Sequence, residues 1–194
     1  EHARRLKGKA ILDTLREEGM NIVFANHSYS HAGHNHYESF YHSPAKALAD
    51  FLRIQDSLHF VEPIIRFPGN NSWVVSSRIR TTRSTRRLAK LMDSVGYNVM
   101  GWDVEWRFNQ KNKPVQSAEE MARQVENAFH SNNSMVKNHV VLLTHDRMFS
   151  EPATRDSLAK MIALLQGEKG YVFRSANEYP ALKKIDRRII AMRK

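Results

Sequence analysis

The sequence predicts an α/β fold. About five short apolar runs with strand character alternate with amphipathic helical segments, and three of those runs open directly into reactive polar residues. The length of 194 residues fits one ordinary domain with a single core. Alternation of this kind argues for a parallel sheet or barrel, in which functional groups gather just past the C-terminal ends of the strands.

Leu6 to Glu18 carries Leu6, Ala10, Ile11 and Leu15 on one face and is followed by Gly19, the pattern of an amphipathic helix with a glycine after its last turn. Asn21 to Ala25 is a short apolar run suited to a buried strand. Ser43-Pro44 supplies an N-cap and first-turn proline for a helix through Ala47, Leu48, Phe51 and Leu52 toward Leu58. Pro63 to Arg66 reads as a second buried strand, ended by the turn formers Pro68-Gly69-Asn70-Asn71.

Thr82 to Val95, with Leu88, Leu91 and Met92 inward and Gly96 behind it, is helical, and Tyr97 to Val104 follows as a strand. Ser117-Ala-Glu-Glu120 is a capping box opening a helix through Met121, Val125 and Phe129. Asn138 to Thr144 is a continuous apolar strand, the kind buried on both faces. Thr154 to Gln166 gives a further helix and Gly170 to Phe173 a last short strand. The expected organisation is one domain over residues 1–180 and a basic helix or tail over 181–194.

Cysteine is absent, which excludes disulfides and thiolate chemistry and leaves His, Asp and Glu as the only strong metal ligands. No apolar run approaches the roughly 18 residues of a membrane span. The formal net charge of +10 favours anionic partners, yet the basic residues sit in two runs, Arg78 to Arg87 and Lys183 to Lys194, of the kind that form solvated faces. With neither zinc-finger spacing nor aromatic interleaving, nucleic acid is not an expected partner. The chain begins Glu1-His2-Ala3 without Met or an apolar leader, as a processed or truncated product would.

The first run opens into Asn26-His27-Ser28-Tyr29-Ser30-His31, the second into Arg66, and the run before Thr144 into His145-Asp146. His27 and His31 are four residues apart, so a helical turn would put both imidazoles on one side, where they suit a divalent metal; His34, His36 and His42 nearby fit a merely His-rich loop equally well. His145 reads as an acid–base group or as a satisfied buried histidine, and Arg66 as a functional or a structural cation.

Taken in order these motifs resemble those of the polysaccharide deacetylases of carbohydrate esterase family 4. His27-Ser28-Tyr29-Ser30-His31 looks like the family's His-Ser/Thr-x-x-His metal motif, Arg66-Phe67-Pro68-Gly69 resembles its Arg-x-Pro motif, and Leu143-Thr144-His145 its Leu-x-His motif. Gly101-Trp102-Asp103-Val104-Glu105-Trp106 is similar, more loosely, to its Trp-containing acidic motif.

The resemblance implies a distorted (β/α) barrel whose catalytic domain removes N- or O-acetyl groups from a polysaccharide outside the cytoplasm. It implies one divalent ion, zinc in the first place with cobalt, nickel or manganese as alternatives, held by His27 and His31. His145 would be the catalytic acid, Arg66 would position a base, and Glu105, in preference to Asp103, would tune His145. Pro68, Gly69 and Trp106 would contact the sugar. The family's Asp-Asp motif, source of the base and third ligand, has no counterpart here, so the first strands of such a barrel are expected to lie outside this chain. The alternative is a glycan-binding relative without turnover.

Overall fold

A computed structural model describes residues 6–17, 22–58, 60 and 62–183. The chain divides into two compact units, Glu1–Gly101 with Ser175–Lys194, and Trp102–Arg174. Each has its own apolar cluster, where the length alone suggested a single core.

The first unit opens with helix α1 (Leu6–Glu17), whose Arg16 guanidinium donates to the Leu58 carbonyl at 2.9 Å. That bond satisfies an orphan carbonyl at the end of α4 (Pro44–Leu58). Ala10 and Ile11, expected on the inner face of α1, are exposed. Between these helices lie two short ones, α2 (His31–Asn35) and α3 (Tyr37–His42).

The sheet of this unit has the order β1-β4-β2-β3, built from Ile64–Ile65, Asn98–Val99, Trp73–Val75 and Arg78–Arg80 respectively. β1 and β4 run parallel, as the alternation predicts. β2 and β3 form an antiparallel hairpin, with Val74 opposite Ile79, which makes the sheet mixed. The sequence conceals this hairpin because its two-residue turn is Ser76-Ser77, both at positive φ (45° and 61°), where a turn of that kind normally advertises itself with Asn-Gly. Helix α5 (Arg86–Ser94) buries Leu88, Ala89 and Met92, and α4 buries Ala47, Phe51 and Ile54. Each fully buried side chain of Leu or Phe size contributes roughly 1.5–3 kcal/mol. The arginines at positions 78, 80, 83, 86 and 87 are exposed, and β3 is an edge strand, where charge discourages pairing with other chains.

The expected strand over 21–25 is reduced to a single parallel bridge between Asn26 and Ile65; residues 22–25 are unpaired by strand bonds, and Ile22 is exposed. The single strand expected over 97–104 is two, β4 and β5 (Val104–Glu105), interrupted at residues 100–103.

In the second unit β5 runs parallel to β6 (Leu142–Leu143), and helices α6 (Ala118–His130) and α8 (Ser157–Lys169) pack against each other. The capping box forms as predicted: Ser117 Oγ accepts from Glu120 N, and the Glu120 carboxylate accepts from Ser117 N. The helix foreseen from Thr154 is split into α7 (Pro152–Arg155) and α8. The strand expected at Gly170 to Phe173 does not form. Tyr171 stacks on Phe129 at 4.5 Å instead, and Val172 and Phe173 are exposed. Among the described residues the strands make a four-stranded and a two-stranded sheet and no closed barrel. The basic segment foreseen over 185–194 lies outside the described residues.

Candidate functional site

His27 and His31 are brought together, but not by the helical turn that their spacing suggested. Asn26 pairs with β1, its N–H donating to Ile64 O and its carbonyl accepting from Arg66 N, both at 2.9 Å. The backbone then reverses through Ser28, at φ 67°. Asn26 is itself buried and fully used: Nδ2 donates to Phe51 O (2.8 Å) and Gln55 Oε1 (3.0 Å), while Oδ1 accepts from Ser28 N (3.0 Å). Asp50 on α4 takes the amides of Tyr29 (2.9 Å) and Ser30 (3.3 Å). The loop between the histidines is therefore anchored on a helix as well as by its own local bonds.

From His31 to Asn35 every residue is left-handed, with φ of 51°, 56°, 63°, 61° and 72°. Such a conformation costs roughly 1–2 kcal/mol for each residue other than glycine, less for Asn, and backbone strain of this kind persists only where surrounding contacts impose it. Here Ala32 N donates to Ser28 Oγ (3.0 Å), Gly33 N to Ser30 Oγ (2.8 Å) and His34 N to Ser30 O (2.8 Å). Ser28 and Ser30, the small polar residues between the histidines, thus fold the turn.

The result is an edge-to-face pair of imidazoles with ring centres 5.1 Å apart. Nδ1 of His27 donates to the Arg66 carbonyl at 2.9 Å, and Nδ1 of His31 to Asn35 Oδ1 at 2.7 Å. An imidazole that donates from Nδ1 carries its lone pair on Nε2, the arrangement usual in metal-ligating histidines. Two imidazoles bound tetrahedrally through nitrogens at about 2.0–2.1 Å would hold their centres about 5 Å apart, the separation seen here. Among the described residues no group of three His, Cys, Asp or Glu comes together, so the pair supplies at most two protein ligands there.

The 66–69 segment packs beside this pair. Arg66 is half-buried, and burial lowers the pKa of its guanidinium, which nonetheless stays charged. Among the described residues no carboxylate pairs with it, an arrangement that leaves a partly desolvated cation in want of an anion. Pro68 is buried and its carbonyl accepts from the Tyr41 hydroxyl, so of the two residues expected to touch a sugar here only Gly69 reaches the surface. Gly69 is left-handed (φ 61°), and a Cβ there would stand 2.7 Å from Tyr37 Cε1.

In the second unit His145 follows β6 in extended conformation, half-buried and edge-on to Phe108 at 5.0 Å; the Arg147 guanidinium lies over the same Phe108 ring at 4.4 Å. Val104 and Trp106 belong to the apolar cluster, with Leu142 packed against it, so the intervening Glu105 takes the opposite face of the strand pair. Glu105 aligns with Leu143, and His145 is two residues further along, which by strand alternation gives it the same face as Glu105.

Asp103 has different work. Its Oδ1 accepts from Met135 N and its Oδ2 from Val141 N, both at 2.9 Å, so both carboxylate oxygens are engaged in holding backbone ahead of β6. Trp106 is a correction to the sequence reading: it is 0% exposed, its Nε1 donates to Gln116 O at 2.9 Å, and its ring meets Phe149 edge-on at 5.2 Å. It has no face to offer a sugar and is a core residue.

Asn26, Asn35, Tyr37, Tyr41 and Asp50 all support the histidine and arginine segments and were not singled out in the sequence. Only Asn26 leaves a trace there, as a polar residue closing an apolar run. No family model matches the chain, and no curated protein matches it either.

Proposed function

We propose that the chain is a metal-dependent hydrolase that removes acetyl groups from an N- or O-acetylated polysaccharide. The observation that carries the reading is the pair His27 and His31, with rings 5.1 Å apart and each Nδ1 committed to an oxygen, that of His27 being the Arg66 backbone carbonyl. The ordered motif resemblance supports it, and with it a barrel of the polysaccharide deacetylase type and a location outside the cytoplasm.

In this reading His27 and His31 would hold one divalent ion through their Nε2 atoms, zinc ahead of cobalt, nickel or manganese. A bound ion supplies Lewis-acid polarisation of the acetyl carbonyl and lowers the pKa of water. Arg66 would orient a carboxylate serving as base toward that water, although the Asp-Asp motif that supplies it in the family has no counterpart in this sequence. His145 gives its proton to the departing amine or hydroxyl, and Glu105, on the same strand face, stabilises the charged imidazole. Gly69, at the rim of the 66–69 turn, contributes to sugar binding.

Among the described residues no helix is long and apolar enough to cross a membrane. The test is acetate release from an N-acetylglucosamine polymer by the full chain. It is expected to need added zinc, to vanish with chelator, and to vanish in His27→Ala; activity that survives that substitution overturns the reading. A second reading, glycan binding without turnover, is favoured by the lack of a third ligand among the described residues. Oligosaccharide binding with no acetate release under any metal would establish it.

A further inference from the structure

We propose that Asn35 is a positioning residue for His31. Its carboxamide oxygen fixes the tautomer and orientation in which His31 meets a divalent cation, and the turn at Gly69 holds Asn35 in place through Tyr37. The inference rests on the reading of His27 and His31 as metal ligands and adds to it the device that aims one of them.

Asn35 Oδ1 accepts two bonds, from His31 Nδ1 at 2.7 Å and from the Tyr37 hydroxyl at 2.9 Å. An amide oxygen has two lone pairs, so this acceptor is saturated and the side chain is pinned from both sides. The Tyr37 ring lies edge-on to His31, with centres 6.3 Å apart, and it also lies against the bare Cα of Gly69. Tyr37 thus touches His31, Asn35 and the 66–69 turn at once. The same turn segment reaches His27 directly, through the Arg66 carbonyl at 2.9 Å. The two imidazoles are consequently aimed by one short segment, one by a backbone carbonyl and the other through a tyrosine and an asparagine.

Backbone conformation explains why the residue is asparagine. Position 35 is left-handed, at φ 72°, a region that Asn enters more readily than other residues bearing a side chain. Of the residues that tolerate it, glycine has no acceptor; asparagine and aspartate have one of the right length. The left-handed turn from His31 to Asn35, folded by Ser28 and Ser30, thus ends at the residue whose side chain sets the tautomer.

Zinc binding to the full chain, measured by calorimetry with the metal alone, tests the proposal beside the 15N resonances of His31 in the metal-free chain. Asn35→Gly keeps the backbone conformation and removes the acceptor; it is expected to weaken zinc binding about 10–100-fold, the usual cost of losing a hydrogen-bond partner of a metal ligand, and to shift His31 away from the Nδ1–H tautomer. Asn35→Asp keeps the acceptor and is expected to bind close to wild type. Wild-type affinity and tautomer in Asn35→Gly, with affinity lost in His31→Ala, would overturn the positioning role alone. Equal zinc binding by wild type and His31→Ala would remove the metal reading and this inference with it. Should Asn35→Gly fail to fold, Asn35→Ala, which also lacks the acceptor, decides: an unchanged His31 tautomer together with unchanged affinity would overturn the proposal.

Discussion

Replacing Asn26 by leucine, which has the same number of heavy atoms and the same branching but greater bulk, deletes three hydrogen bonds of a buried side chain at the start of the histidine loop. The bonds lost are those from Nδ2 to Phe51 O (2.8 Å) and Gln55 Oε1 (3.0 Å), and from Ser28 N to Oδ1 (3.0 Å). At about 1 kcal/mol net for each, the loss comes to about 3 kcal/mol; leucine leaves no cavity, and any strain from its greater bulk adds to this figure. For a chain of this size that corresponds to a fall in Tm of about 6–12 °C. The backbone bonds of Asn26 to Ile64 and Arg66 are untouched, so the bridge to β1 should survive. Urea unfolding followed by far-UV circular dichroism, with zinc affinity measured alongside, is the assay. A cost below about 0.5 kcal/mol, within the range of an ordinary surface substitution, would refute the view that this side chain anchors the loop.

Asp103→Asn presents one amide N–H where a backbone N–H now finds an oxygen, so it should cost about 2 kcal/mol in urea unfolding; undiminished stability with a displaced pH optimum for acetate release would instead make Asp103 the residue that tunes His145. Burial, with a smaller contribution from Tyr37, holds the Tyr41 phenol well above its usual value. The unfolded chain therefore ionises this residue near pH 10 while the folded chain keeps it neutral: its contribution is complete below about pH 10 and declines as pH rises beyond it. Tyr41→Phe, which also strands the Pro68 carbonyl, should lose about 1–2 kcal/mol at neutral pH and show a shallower alkaline decline in a pH series of denaturation curves.

Elements with strong local signals were legible in the sequence. The Ser117 capping box and the Ser43-Pro44 start fixed α6 and α4 to within a residue, because caps act through the chain immediately beside them. The β2–β3 hairpin left no such signal, since Ser76 and Ser77 adopt left-handed angles that the surrounding sheet imposes rather than the residues prefer. The apolar run before Asn26 shows the converse: apolar character marks a segment fit for a strand, but only a partner supplies the ladder, and Asn26 alone finds one in Ile65.

The same division runs through the site. The sequence by itself determined which reactive side chains the chain offers: two histidines four residues apart, an arginine before a Pro-Gly turn, and a histidine after an apolar strand, each a choice of residue type that no folding changes. Tertiary structure alone decided how they stand. It replaced the expected helical turn between His27 and His31 with a reversal and a left-handed turn, put Trp106 in the core, and gave Asp103 two backbone amides to hold. The reason is physical: residue identity sets the donors and acceptors available, whereas the Arg66 carbonyl at His27 comes from 39 residues away, across a contact that only the packed sheet brings about.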